Sequence, residues 1–253
     1  MRIKKWIAVC ALVSCVSAHA KQVAIVIDDI GYQRNDMSAL NIPGQLTFSI
    51  LPFTPYAKRF AAQASAQNKE IMLHAPMQAL DGKTLGPGAL TMDMQKDDFQ
   101  TMLRDALDSL PNIKGVNNHM GSLLTQQNTP MNWTMEVLKE HDLYFLDSKT
   151  TPKSKAQTIA SLYGVDNVAR HVFLDNITTE KQMRFRFDQL KRIAQRYDYA
   201  VAIAHPYPET FAFLQNSLAE LEQEGIQLVP LSELVQARTL RLAQANSPTL
   251  NGE

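Results

Sequence analysis

The sequence is almost without cysteine. Only Cys10 and Cys15 occur in 253 residues, and both fall in an N-terminal stretch with the marks of a removable signal. There is no excess of charge, since 25 Lys+Arg balance 25 Asp+Glu, so no overall basic field exists to hold a nucleic acid. The apolar run near the start covers residues 6–16, well short of the roughly 20 residues a spanning helix needs. No Gly-x-Gly-x-x-Gly and no phosphate-cradling loop follows any predicted strand, which disfavours a nucleotide site. With 45% hydrophobic and 20% charged residues, the chain is neither disordered nor collagenous.

Arg2, Lys4 and Lys5 precede the apolar run, and Ala18-His19-Ala20 supplies a small-x-small cleavage pattern. Residues 1–20 therefore read as a signal peptide, which implies a periplasmic or secreted protein. Leu12-Val13-Ser14-Cys15 offers an alternative, a lipobox that would anchor the chain through Cys15. Cleavage after residue 20 leaves 22 basic against 25 acidic residues, net −3, and no cysteine. Disulfides, thiol nucleophiles and Cys-ligated zinc are then excluded. Any metal must be held by His, Asp or Glu. About 233 residues remain, enough for a large core without covalent staples.

Continuous β-branched runs without alternation predict strands buried on both faces. The pattern gives strands over 22–27, 46–51, 70–73, 115–118, 143–146, 168–174, 199–204 and 226–229. Between them it gives helices over 56–67, 96–110, 130–141, 153–163, 179–197, 208–224 and 230–237. Strand and helix alternate with no linker of domain-boundary quality, which favours one (β/α) barrel domain over 21–238, with a doubly wound open sheet as the alternative. Residues 239–253 read as a disordered tail.

The polar residues fall at equivalent places. Asp28, Asp29, His74, His119, Asp147, Asp175 and His205 each sit at or just after a predicted strand's C-terminal end. In a (β/α) barrel those ends converge on the face where sites are built. Asp147 and Asp175 taken singly also suit helix caps, and His141 and His171 read as structural. Two neutral imidazoles and a carboxylate make a facial metal-ligand set. A second carboxylate can take a proton from water, and a further His can give one to a leaving group. Asp28, Asp29, His74, His119 and His205 together suffice for those five roles. Adjacent strand residues point to opposite faces, so Asp28 and Asp29 reach one site only if the strand breaks there, as Gly31 allows.

Val26-Ile27-Asp28-Asp29-Ile30-Gly31 resembles the first motif of the polysaccharide deacetylases with the NodB-like barrel. Closer still is the divergent polysaccharide deacetylase family. The similar segments continue through Phe48-Ser49-Ile50-Leu51-Pro52, Glu70-Ile71-Met72-Leu73-His74-Ala75-Pro76-Met77 and Gly115-Val116-Asn117-Asn118-His119-Met120-Gly121-Ser122. Phe145-Leu146-Asp147-Ser148 and Ala204-His205-Pro206 complete the set. The resemblance implies an α/β fold, an irregular seven-stranded (β/α) barrel, and a metal-dependent hydrolase of acetylated polysaccharide, compatible with peptidoglycan. By residue it implies Asp28 as general base, Asp29 and His74 as metal ligands, and His205 as general acid. The ordinary deacetylases place both metal histidines on one His-x-x-x-His turn. Here position 78 is Gln, so the implied second histidine ligand is His119. The implied cofactor is a divalent ion, zinc above others. The ordinary Arg-x-Pro motif is not visible. Two rivals share the barrel: a non-catalytic glycan- or partner-binding protein, and a metal-dependent phosphoesterase or glycosidase.

Overall fold

The computed structural model describes residues 20–246, so residues 1–19 of the expected signal segment, with Cys10 and Cys15, and residues 247–253 lie outside it. Nine strands form one sheet: β1 Lys21–Ile30, β2 Thr47–Ile50, β3 Glu70–Met77, β4 Gly115–Met120, β5 Tyr144–Asp147, β6 Asn167–Ala169, β7 Val172–Phe173, β8 Tyr199–Ala204 and β9 Ile226–Leu228. Eight α-helices cover the outside: α1 Ala57–Ala66, α2 Lys96–Asp108, α3 Asn128–Glu140, α4 Ala156–Tyr163, α5 Glu180–Tyr197, α6 Pro208–Ser217, α7 Ala219–Gln223 and α8 Leu231–Asn246. Their stripes carry the packing. In α2, Phe99, Leu103, Ala106 and Leu107 are buried at helical spacing. No helix among the described residues is long and apolar enough to cross a membrane.

Every strand pair is parallel, and the order runs β6-β5-β4-β3-β2-β1-β8-β7. From β1 to β6, chain neighbours are sheet neighbours, without the order reversal of a doubly wound sheet. The sheet curls until its two edges are halves of one segment. β6 pairs with β5 and β7 pairs with β8, and only Arg170 and His171 separate them. Arg170 N–H donates to the Asp147 carbonyl on one side, and His171 N–H donates to the Val201 carbonyl on the other. The single strand expected over 168–174 is thus two short ones that close the barrel as a seam. Counted as one interrupted strand, they give the expected seven, and β9 is a short addition. It shares an edge of β1 with β2, pairing at Lys21–Val23 while β2 pairs from Val26 onward.

Two other expectations change. The helix expected over 208–224 breaks at Leu218 into α6 and α7. The tail expected to be disordered from 239 is helical to Asn246, because α8 continues. The start of α8 closes the barrel floor. Leu231, Leu234 and Val235 pack with Ala24, Val26, Met72, Leu146, Val168, Val201 and Ile203, the side chains that point into the barrel. The opposite faces of the strands, such as Ile25, Ile27, Phe48, Leu73 and Phe145, pack against the helices.

Candidate functional site

The period of two along each strand lifts the barrel interior into the site. Ala24 and Val26 point inward, so Asp28 does too; Met72 leads to His74, Leu146 to Ser148, and Ile203 to His205. On β4, Val116 faces the helices, which leaves Asn117 and His119 facing in. The lower interior is apolar and the upper layer is polar.

Asp29 breaks the alternation. The β1–β2 register shifts between Ile27 and Ile30, and Asp29 has φ 60°. This left-handed residue in a bulge turns a side chain that would face the helices toward the site. Gly31 sustains the turn. Its φ is +126°, and a Cβ there would stand 2.2 Å from Thr54 Oγ1. The buried Asp36 carboxylate fastens the same loop by accepting from Gly31 N–H at 2.8 Å and Gln33 N–H at 3.0 Å.

Asp29 Oδ1 lies 3.0 Å from His74 Nε2 and 2.8 Å from His119 Nδ1, and the two ring nitrogens are 3.1 Å apart. These residues form a group that could hold a metal ion. Ligand atoms held about 2.1 Å from an ion stand about 3.0–3.4 Å from one another; two sides of the triangle fall at the short end of that range and the 2.8 Å side would open slightly around an ion. The donor chemistry fits as well. His74 Nδ1 is 2.7 Å from Asn117 Oδ1, an acceptor, so Nδ1 carries a proton and Nε2 is the ring nitrogen that faces the Asp29 carboxylate. That nitrogen can share a proton with Asp29 or, once deprotonated, give its lone pair to an ion.

Asn117, fully buried, organises the surroundings. Its Oδ1 accepts from His74 Nδ1–H and from Ser49 Oγ–H at 2.6 Å; its Nδ2 donates to Asp28 Oδ1 at 2.9 Å and to Ser148 Oγ at 3.3 Å. All four hydrogen-bonding capacities of the amide are used. One side chain therefore fixes the tautomer of His74 and the rotamer of Asp28. Beyond His119 the chain turns away through two left-handed residues, Met120 at φ 54° and Gly121 at φ 87°.

The charges are set by these contacts. Burial pushes the Asp28 carboxyl up, and the neighbouring Asp29 charge adds to it, against the pull of His74, His205 and Asn117. Burial also opposes the Asp29 charge, but hydrogen bonds with His119 and His74 overcome it and hold that carboxyl well below the usual range. His74 is buried, which disfavours its cation, yet the Asp28 and Asp29 charges raise its pKa. His205 stands on the other flank, after β8. Burial pulls it down, but Asp175 outweighs that and raises it to about 9. Asp175 Oδ1 is 2.8 Å from His205 Nδ1, and Oδ2 accepts from His205 N–H and from Thr210 Oγ–H at 2.8 Å.

The structure thus gathers Asp28, Asp29, His74 and His119 directly, and holds His205 beside them through Asp175. Asp175 is not a helix cap. Asp147 is a structural residue: it accepts from Lys149 N–H and Ser154 Oγ–H, both at 2.8 Å. His171 is also structural, accepting from Val201 N–H through Nδ1 at 3.1 Å. Gln78 is outside the cluster and braces the following loop, its side chain accepting from Met92 N–H at 2.8 Å. Arg170 lies over the Phe173 ring at 3.5 Å and donates to the Ser148 and Lys149 carbonyls; Asp28 is held by Asn117 instead. Asn117, Ser49 and Ser148 were missed in the sequence, although small polar residues inside apolar strand runs were the available signal.

A parallel (β/α) barrel with a carboxylate and two imidazoles converging at its strand C-termini defines a NodB-like barrel protein with a candidate metal site. The chain belongs to the divergent polysaccharide deacetylase family, whose model matches residues 25–235. It is 35% identical over 217 residues to the uncharacterized protein YibQ of Escherichia coli (strain K12), covering 85% of this chain and 68% of that one. Among solved structures, the uncharacterized protein ATU2773 from Agrobacterium tumefaciens C58 superposes with a TM-score of 0.82 at 24% identity, covering 86% of this chain and 90% of that one. A mutant of the peptidoglycan deacetylase PdaC from Bacillus subtilis reaches 0.53 at 12% identity, covering 89% and 95%. A CE4 family pseudoenzyme from Bacillus anthracis also reaches 0.53, at 13% identity, covering 85% and 66%. These structural likenesses speak for the fold.

Proposed function

We propose that this protein is an exported, metal-dependent deacetylase that removes acetyl groups from an envelope polysaccharide. The observation that carries the reading is the triangle of Asp29 Oδ1, His74 Nε2 and His119 Nδ1, flanked by Asp28 and by the Asp175-buttressed His205. A divalent ion such as Zn²⁺, held by those three atoms, supplies Lewis-acid polarisation of the acetyl carbonyl and of a water.

The chain's own residues supply the proton transfers. Asp28 takes the proton of the attacking water; its raised pKa suits a base that must also release that proton. Asn117 Nδ2–H fixes Asp28 Oδ1, leaving Oδ2 for the proton. His205, cationic below about pH 9, gives its Nε2 proton to the departing amine nitrogen as the C–N bond breaks. Acetate and a free amino sugar result. Export rests on the signal pattern of residues 1–20 and the polysaccharide class on the family.

Acetate release from chitin oligosaccharides, peptidoglycan sacculi and acetylated xylan tests the reading, with metal content measured on the same protein. Release that depends on metal and falls at least about a hundredfold in Asp28→Asn is expected. Stoichiometric metal with no release from any of the three would sink it and favour the non-catalytic binding protein.

A further inference from the structure

Large aromatic side chains are half-exposed on the loops that follow the strand C-termini around the candidate site. Tyr32 follows β1 and is 43% exposed; Phe53 follows β2 and is 46% exposed; Tyr207 follows β8 and is 44% exposed. Phe53 carries a further cost. Its φ is 57°, a left-handed conformation that a bulky residue rarely adopts, and a half-exposed ring recovers only part of the burial a Phe can gain. Such strain persists at ligand clamps because the surroundings enforce it.

The enforcing element is the loop between β3 and α2. At Gly88, with φ +77°, an added Cβ would stand 3.1 Å from both Phe53 and Pro52; at Gly86 it would stand 2.5 Å from the Tyr32 hydroxyl. The loop thus backs both rings with glycine, and no side chain at either position covers them. The loop itself is anchored, since Gln78 N–H donates to the Leu90 carbonyl and Leu90 N–H to the Pro76 carbonyl. Both rings are therefore braced on the loops that leave the C-terminal ends of β1 and β2. Tyr207 lies on the other side, its ring 5.8 Å from that of His205.

We infer that Phe53 and Tyr32 form a stacking subsite for the sugar ring next to the one presented to Asp29, His74 and His119. A pyranose shows a face of C–H groups, whose positive edges meet the negative face of an aromatic ring. Two braced, half-exposed rings suit that face better than they suit a charged or branched ligand. The bound ligand is then a glycan chain of at least two sugars, not a monosaccharide. The inference rests on the deacetylase reading for its orientation but not for its binding.

Calorimetric binding of the N-acetylglucosamine tetramer to Asp28→Asn protein, where turnover is blocked in the proposed chemistry, tests it. Phe53→Asn tolerates the left-handed backbone and lacks the ring; it is expected to weaken tetramer binding about tenfold or more. Tyr32→Ala is expected to act in the same direction, while Phe53→Tyr stays within about threefold. Metal content should be unchanged in each. Tetramer binding unaffected by Phe53→Asn, or absent altogether while sacculi pull-down is equally insensitive to Phe53 and Tyr32, overturns the inference. Ring-dependent binding without any acetate release by the Asp28 form would instead leave the subsite standing and the deacetylase reading failed.

Discussion

Asn117 couples two groups that the proposed chemistry needs in fixed states. Replacing it with Ala leaves the His74 Nδ1–H and Asp28 Oδ1 without their partner in a buried place, at about 1–3 kcal/mol for each unsatisfied group. With its tautomer no longer fixed, His74 presents its Nε2 lone pair only part of the time. Asn117→Ala is therefore expected to weaken zinc binding about 10–100-fold, read by competition with a chromophoric chelator; unchanged affinity would remove Asn117 from the design. His205 gives a second residue-scale prediction. Its pKa is raised by Asp175 to about 9, so the cation is present below that value and lost above it. Asp175→Asn should bring the His205 titration, followed by its ring C–H resonances, down toward the ordinary value of about 6.5. The five candidate site residues were legible because strand ends announce themselves in an apolar sequence. Asn117 was not, since only the pairing of β3 with β4 places it against His74.

The seam of the barrel is built from two short strands, β6 and β7, joined by Arg170 and His171. His171 replaces a missing ladder bond: its Nδ1 accepts from Val201 N–H while its own N–H donates to the Val201 carbonyl. Only the neutral ring can accept. Burial, with Arg170 and Arg238 nearby, lowers its pKa to about 4, and Tyr199 packs against it edge-on at 5.4 Å. A folded-state pKa below the unfolded value of about 6.5 means that the stabilisation is complete above pH 6.5 and is lost as pH falls toward 4. The amount at stake is of the order of 2–3 kcal/mol, reduced by the ring's partial exposure. His171→Gln offers an acceptor that does not titrate, so urea midpoints measured from pH 7 to 4 should fall less steeply than in the wild type. Parallel slopes would show that the seam does not sense acid. The sequence presented residues 168–174 as one strand, because β propensity is local and the exchange of partners at Arg170 is decided by curvature of the whole sheet. The same limit hid the break between α6 and α7 and the extension of α8.

At the scale of the molecule, the alternation of strand and helix identified the barrel, and the inward period of two placed an apolar floor beneath a polar mouth. The floor depends on a long-range contact that no local pattern reveals: Glu70, at the start of β3, accepts from Ser232 N–H at the first turn of α8 and from Tyr144 and Thr47 hydroxyls. The mouth depends on three strands that contribute one candidate ligand each, Asp29 from β1, His74 from β3 and His119 from β4. An ion held there would cross-link those strands in the folded state alone, because the three atoms converge only when the sheet is formed. Zinc at about 100 times its dissociation constant would then stabilise the fold by about 2.7 kcal/mol, a rise of about 5–10 °C in thermal midpoint for a domain of this size. The rise should shrink as pH falls, since protons compete for both imidazoles. Asp29→Ala removes one ligand at a bulge outside the apolar core and should abolish the zinc-dependent rise while leaving a cooperative transition in chelator. A rise of equal size in Asp29→Ala, or none in the wild type, would mean that the convergence of β1, β3 and β4 serves something other than a metal.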